Sequence, residues 1–358
     1  MLTILNDTHI GVNRVAGTTG RSAQALTDFV HEAFVALLAQ ADGGNLVILG
    51  DLFDQYAVPN SDMVRTFYAL ADWCERNKAH QLALVAGNHD LSKDSSRLSS
   101  FEFVGVLLER QFRNAQKILE PTWLWGDEVY VIPHVRNQDI FDQRLAEVPD
   151  GVRYLLLHAN YNNGFAEQSD HSLNVSETQA KEQILKGRTL IFAHEHQRRE
   201  SLNGRVLIPG NQIPTSVSDL LGTEGKYYVR IEGEPQLVQV DFDALLGTER
   251  ALYVERDWRE LKSAPAQTDS MFIRVIGDAS AQEAADVVTK ISKYRQHSDS
   301  FVITNAVRIE GVEGMDELPA TIEAAKGFDV LAAILDTLTE EERKVVHQLL
   351  EGTDAQID

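Results

Sequence analysis

Five short apolar runs in this chain each end on residues able to bind a cation, and that pattern constrains the fold more than any other feature. "LTIL" (2–5) leads to Asp7 and His9, and "NLVIL" (45–49) to Gly50 and Asp51, with Asp54 close behind. "QLALVA" (81–86) leads to Gly87, Asn88, His89 and Asp90. "RYLLL" (153–157) leads to His158, and "TLIFA" (189–193) to His194 and His196. Runs this short and this apolar predict strands buried on both faces. Helical patterns over about 22–40 and 61–77 separate the first three, which predicts an α/β domain with its sheet buried on both faces. In such a sheet, sites assemble at the C-terminal strand edge, where these polar residues fall.

Each piece has an ordinary explanation when taken alone. A His-x-His pair is common where a strand surfaces, Asp7-x-His9 fits a capped turn, and Gly-Asp after a strand is a turn signal. Coincidence explains the whole ordered series badly. Residues i and i+2 of an extended segment point to one side, so Asp7 with His9, and His194 with His196, can each face one cluster. Two cations held together activate a water and steady the leaving oxygen in phosphoester hydrolysis. Asp51, following a glycine that permits close backbone approach, is placed to bridge them. Imidazole, carboxylate and amide together suit manganese, iron or zinc better than calcium.

The remaining chain adds bounds. Its 358 residues, 43% of them hydrophobic, suffice for one large core and a smaller appendage. The single cysteine, Cys74, excludes an internal disulfide and fits a reducing cytoplasm. No signal-peptide pattern opens the sequence, and no run of 18 apolar residues suggests a membrane span. These features predict a soluble cytoplasmic protein (host cytoplasm if phage-encoded). A net charge of −21 is awkward for a protein that grips DNA unaided, and less so if bound cations or a basic partner supply positive charge.

Character changes near 245–270, where a charged stretch reads as an edge strand and connection. "MFIRVIG" (271–277), a helical pattern over about 279–294 and "FVITNAVRI" (301–309) follow as a strand–helix–strand unit. The tail, 328–352, reads as two short amphipathic helices with Thr339 as an N-cap. The expected domains are 1–245, 246–315 and 316–358.

The series Asp7-Thr8-His9, Gly50-Asp51, Gly87-Asn88-His89-Asp90, His158 and His194-Glu195-His196 resembles the calcineurin-like metallophosphoesterases. Within them, "GDLFDQYAVPN" (50–60), "LLLHANY" (155–161) and "LIPGNQIPTS" (207–216) resemble the SbcD-type nuclease subunit of the DNA double-strand-break complex, in its bacterial or phage form. The resemblance implies a two-sheet αββα sandwich, a small α/β DNA-capping domain and C-terminal helices that bind an SMC-like coiled-coil ATPase of SbcC type. It implies one metal on Asp7, His9, Asp51 and His196, and a second on Asp51, Asn88, His158 and His194. Manganese is the expected cation, with magnesium, iron or zinc as alternatives. His89 would be the catalytic histidine that does not bind metal, with Asp90 orienting it through the other ring nitrogen. Homodimerisation through helices near 61–77 and 98–117 is also implied. Two positions depart from the pattern. Ala193 stands where the family commonly has Gly, implying tighter quarters or an ordinary backbone conformation. Asp54 stands where some relatives have a histidine, so a supporting role toward a ligand is expected.

Other residues carry weaker expectations. Arg14 and Arg21, in the loop after the first ligands, and Arg274, Lys290, Lys293, Arg295, His297 and Arg308, in the cap-like unit, are candidates for DNA phosphate contact or for solvated faces. His134 and His171 read as structural or solvent-facing. Three functions compete: a metal-dependent DNA exonuclease and endonuclease of end processing, a phosphodiesterase with a non-DNA substrate, and a non-catalytic scaffold of a recombination complex.

Overall fold

The structure, a computed structural model, describes residues 1–12, 15–92, 97–164, 173–247, 250–262 and 270–310. Two six-stranded sheets lie face to face. The first runs Glu234–Gln239, Tyr227–Glu232, Leu2–Leu5, Asn45–Leu49, Leu82–Val85, Ala115–Ile118; its last four strands are parallel and the first two antiparallel. The second runs Arg199–Ser201, Val206–Ile208, Thr189–Ala193, Tyr154–His158, Val129–Ile132, Thr122–Leu124, parallel at its centre and antiparallel at both edges.

Period-two alternation builds the layers. Leu2, Ile4, Val47, Leu49, Ala83 and Val85 of the first sheet form one core with Val131, Tyr154, Leu156, Ile191 and Ala193 of the second. The alternate residues Leu5, Leu46, Ile48, Leu82 and Leu84 pack outward on the helices Gly20–Gln40, Asn60–Arg76 and Ser100–Gln111. On the opposite side Leu155, Leu157, Leu190 and Phe192 meet Phe141 and Leu145 of helix Gln138–Ala146 and Ala180 of helix Glu177–Leu185. The result is the expected α/β sandwich of two sheets between helical layers, helix–sheet–sheet–helix. Capping signals in the sequence set several helix starts: Ser99 with Glu102, and Ser176 with Gln179, form reciprocal capping boxes.

The strand–helix–strand unit is present, with strands Tyr253–Asp257, Phe272–Ile276 and Val302–Asn305 in one parallel sheet and Tyr253–Asp257 at its edge. Phe272 and Phe301 pack on Phe29 of the first helix, ring centroids 6.0 and 5.0 Å away. Its helix is Ala284–His297, shorter at its start than the pattern suggested, because Asp278–Ala279 form a strand and the Glu283 carboxylate accepts from Ser280 N and Oγ at 2.9 Å. The run 301–309 is likewise two strands, since Ala306 N turns back to donate to Val275 O at 2.7 Å.

Two compact units divide the chain, one of residues 1–277 and 285–307, the other of 278–284 and 308–358. In the second, Asp278–Ala279 pair in parallel with Arg308–Ile309. The expected C-terminal helices lie outside the described residues. Among the described residues no helix is long and apolar enough to cross a membrane.

Candidate metal centre

The parallel centre of each sheet delivers its candidate ligands to one place. Asp7 follows Leu2–Leu5, Asp51 follows Asn45–Leu49 and Asn88 follows Leu82–Val85; His158 ends Tyr154–His158, and His194 comes immediately after Thr189–Ala193. Backbone bonds lace these turns beyond the strand ends: Asp7 N donates to Gly50 O at 3.1 Å, His9 N to Asp51 O at 3.0 Å and Gly50 N to Val85 O at 3.1 Å. Asp7, His9, Asp51 and His194 all adopt left-handed backbone, with φ of 48°, 46°, 50° and 92°. Non-glycine residues accept that conformation at a cost of about 1–3 kcal/mol each, and such strain concentrates at functional sites.

Two ligand groups result. Asp7, His9 and His196 converge in one, and Asp51, His158 and His194 in the other. His9 Nε2 and His196 Nε2 face each other at 3.0 Å, a separation expected of two imidazoles aimed at a common cation. Asn88 Oδ1 lies 2.9 Å from both His158 Nε2 and His194 Nδ1. Asp51 Oδ2 stands 3.4 Å from His158 Nε2 and 4.0 Å from His9 Nε2, between the groups. The seven residues therefore fit a pair of divalent cations, with Asp51 reaching toward both.

Two glycines make this approach possible. A Cβ on Gly50 would come within 1.9 Å of His158 Nδ1, and one on Gly87 within 2.2 Å of Asp51 Oδ1. Ala193 is fully buried and pairs with His158 as the last residue of its strand, so its backbone is ordinary; the left-handed turn falls on His194 instead.

Burial and charge oppose each other in the cluster. Burial alone lowers the affinity of His9 for a proton, but Asp54, Asp51 and Asp7 outweigh it and raise the ring to about 9. His158 is raised to about 9 in the same way, burial opposed by the charge and contact of Asp51. Those rings hold Asp51 well below the usual carboxylate range despite its burial. His194 falls to about 3, through burial and the neighbouring His158.

His89 sits at the exposed edge of this cluster. Its backbone N donates to Asp51 Oδ1 at 2.9 Å, and its ring stands edge-on to His9 with centroids 5.1 Å apart. Its Nδ1 lies 2.6 Å from the backbone carbonyl of Asp54, which accepts its proton. That contact corrects the expected pairing of His89 with Asp90. The Asp90 carboxylate is fully buried and accepts from Gly87 N at 2.9 Å, Phe53 N at 3.2 Å and Leu52 N at 3.3 Å. It therefore fastens the Gly87 turn to the Asp51 turn, and the His89 ring is oriented by Asp54. The Asp54 carboxylate approaches His9 Nδ1 at 3.5 Å.

Several residues at the site were not singled out by their sequence pattern. The buried Asn6 Nδ2 donates to Asp7 Oδ2 at 2.5 Å, and Gln212 holds Asn6 by accepting from its N at 2.5 Å and donating to its Oδ1 at 2.9 Å. Asp219 Oδ1 lies 3.0 Å from His196 Nδ1. His134 is buried, its ring centroid 6.2 Å from that of His158, so the solvent-facing alternative is excluded. Asn6 directly precedes a ligand, and that adjacency was the one available signal. Gln212 lies in the "LIPGNQIPTS" stretch, which gave no hint of its contact with Asn6, and Asp219 had no signal because it does not follow a strand in a ligand-like spacing.

Among the described residues, the basic candidates do not gather at the candidate metal centre. Arg274 pairs with Glu255 at 2.9 Å, Lys290 donates to Arg259 O at 2.6 Å, and Arg295 donates to Ile303 O at 2.6 and 3.0 Å. Lys293 and His297 are exposed. Arg21 and Arg295, joined by Arg250, do line one cavity of about 520 Å³ with Ser22 and Ser298. Arg14, His171 and the tail fall outside the described residues.

One family model agrees with this geometry. The family model described as calcineurin-like phosphoesterase matches residues 1–203. Among solved structures, the chain is similar to TT1561 of Thermus thermophilus at 12% identity and a TM-score of 0.40, covering 66% of this chain and 97% of that one. It is also similar to a cold-active protein-tyrosine phosphatase of a psychrophilic Shewanella species at 12% identity and a TM-score of 0.30, covering 66% and 80%. A comparison with curated proteins gives no match. With the family model spanning more than half its length, the chain belongs to the calcineurin-like phosphoesterase family.

Proposed function

We propose that this phosphoesterase is a manganese-dependent DNA exonuclease and endonuclease of SbcD type, processing DNA ends together with an SMC-like coiled-coil ATPase. The observation that carries the hydrolytic part is Asp51, set between two ligand groups with the exposed His89 beside them. Asp7, His9, Asp51 and His196 would hold one cation, and Asp51, Asn88, His158 and His194 the other. Together the cations would supply Lewis acidity and an activated water. His89 is placed to contact a phosphate oxygen or to hand a proton to the leaving oxygen, because its Nδ1 is committed to Asp54 O and its Nε2 is left for substrate.

DNA as substrate is supported by "GDLFDQYAVPN" and "LIPGNQIPTS", and by the strand–helix–strand unit, which we assign as the capping domain within 246–315. The segment 316–358 is assigned to the ATPase. A second reading, a phosphodiesterase acting on a smaller substrate, is favoured by one observation: Arg274 and Arg295 are engaged with protein groups in a chain of net charge −21.

The test compares manganese-dependent turnover of linear DNA with that of a chromogenic phosphodiester and a cyclic nucleotide, with and without a cognate ATPase. DNA should be the preferred substrate. His89→Ala should lose on the order of 10²–10⁴-fold in rate while retaining two cations. Wild-type protein that binds two cations and turns over the small diesters but no DNA would establish the second reading.

A further inference from the structure

The ligands of the first group are held from outside by a segment that lies beyond the family match. That match ends at residue 203, whereas Gly210, Gln212, Thr215, Asp219 and Lys226 all follow it. Asp219 is 3% exposed, yet it is neither a member of the two ligand groups nor part of a surface ion pair. Its two oxygens do different things. Oδ2 accepts from Thr215 N at 2.8 Å, Ser216 N at 3.0 Å and Thr215 Oγ1 at 3.1 Å, closing the turn on which it sits. Oδ1 faces His196 Nδ1 at 3.0 Å.

The orientation matters because His196 uses its other nitrogen, Nε2, to face His9. An imidazole binds a cation through an unprotonated nitrogen, so its proton must reside on the remaining one. A buried carboxylate oxygen at 3.0 Å from Nδ1 holds the proton there and leaves Nε2 free. Lys226 fixes the register of the pair, with Nζ donating to the Asp219 carbonyl at 2.8 Å and the His196 carbonyl at 3.2 Å. Gly210 permits the close crossing of these segments, since a Cβ there would meet His196 O at 2.6 Å.

We infer that Asp219 is the positioning residue of the first metal site, selecting the His196 tautomer that can bind a cation and fixing the plane of its ring. The inference rests on His196 being a ligand, as proposed above. The same geometry offers no equivalent carboxylate to His158, whose Nδ1 lies 3.2 Å from the Leu49 carbonyl. The two sites are thus set by different means, and a change at Asp219 should register at one of them.

Asp219→Asn is a sharp probe. If its amide oxygen keeps the Thr215 and Ser216 bonds, its NH₂ group is turned on His196 Nδ1 and drives the ring proton to Nε2. Calorimetric titration with manganese should show one cation bound as in the wild type and the other weakened about 10–100-fold. In ¹⁵N spectra of zinc-loaded, histidine-labelled protein, the His196 ring should change tautomer. In a His196→Ala background, Asp219→Asn should add no further loss of manganese affinity, whereas a role confined to the turn would still add one. Should Asp219→Asn not fold, Asp219→Glu makes the same comparison, with the charge kept and the oxygen displaced by a methylene. Undiminished binding at both sites with an unchanged tautomer would overturn the positioning role. Full manganese binding by His196→Ala alone would remove the ligand assignment itself, and this inference with it.

Discussion

At the scale of single residues, the site depends as much on what is missing as on what binds. Gly87 is informative because its φ is not in the left-handed range, so a side chain there meets no backbone penalty, only Asp51 Oδ1 at 2.2 Å and Asp51 N at 2.3 Å. Gly87→Ala therefore acts on Asp51 directly. Since Asp51 reaches both ligand groups, the variant should lose affinity at both cations, by at least about tenfold each, an effect comparable to losing a supporting contact to a ligand. Gly50→Ala combines the clash with His158 and a φ of 81°, and should in addition be destabilised by more than about 1 kcal/mol. Manganese titration and thermal melting of the chelated proteins separate the two effects. A Gly87→Ala protein that binds both cations normally would show that Asp51 tolerates displacement.

At the scale of elements, the buried strands and their polar, Asp- and His-bearing ends were legible because apolar runs, turn glycines and polar ends coincide in short stretches of sequence. The helix start at Ala284 was not, since it depends on a two-residue strand pairing with residues 30 positions away. Asp219 escaped notice for a related reason: its importance comes from a contact 23 residues back along the chain. Asp90 was assigned to the wrong partner because adjacency to His89 says nothing about direction, and its buried carboxylate turns to backbone N–H groups instead. The helix Asn60–Arg76 illustrates what pattern alone leaves open. Its inner residues Leu70, Trp73 and Cys74 are buried, while Val64 and Tyr68, one turn apart on one face, are 49% and 62% exposed. The neighbouring helix Ser100–Gln111 exposes Phe103, and Leu98 before it is also exposed. The homodimer expected from the sequence would bury this apolar face. Tyr68→Glu should weaken self-association by at least roughly thirtyfold, about 2 kcal/mol, in sedimentation experiments without affecting manganese binding. A wild-type chain that stays monomeric at high concentration would overturn that expectation.

At the scale of the whole molecule, the protons and the cations compete for the same histidines, and the sign of that competition can be worked out. His9 and His158 are raised to about 9 in the folded chain by the surrounding carboxylates, against 6.5 when unperturbed. Groups raised in this way stabilise the chelated protein fully below pH 6.5, and that contribution is lost as the pH climbs through 9. Asp90, raised to about 7 by burial and by Asp51, acts in the same direction up to that pH. His194, lowered to about 3, opposes folding only below 6.5. Lys226, lowered to about 8 by burial, opposes folding to a constant extent below 8, and that opposition is relieved only above it. Between pH 6.5 and 8 the chelated protein should therefore melt at progressively lower temperature. Cation binding requires both rings unprotonated, so manganese affinity should rise over the same interval, with protons released on binding. Because a ligand that binds only the folded state stabilises it according to its affinity, the gain in melting temperature from manganese should grow as the pH rises. Melting curves in chelator and in manganese, recorded from pH 6.5 to 8, should diverge. Calorimetry in buffers of different ionisation enthalpy should report the released protons. Parallel curves with no proton release would mean that His9 and His158 are already neutral in the chelated protein. The carboxylates around them would then be balanced by something other than those two rings.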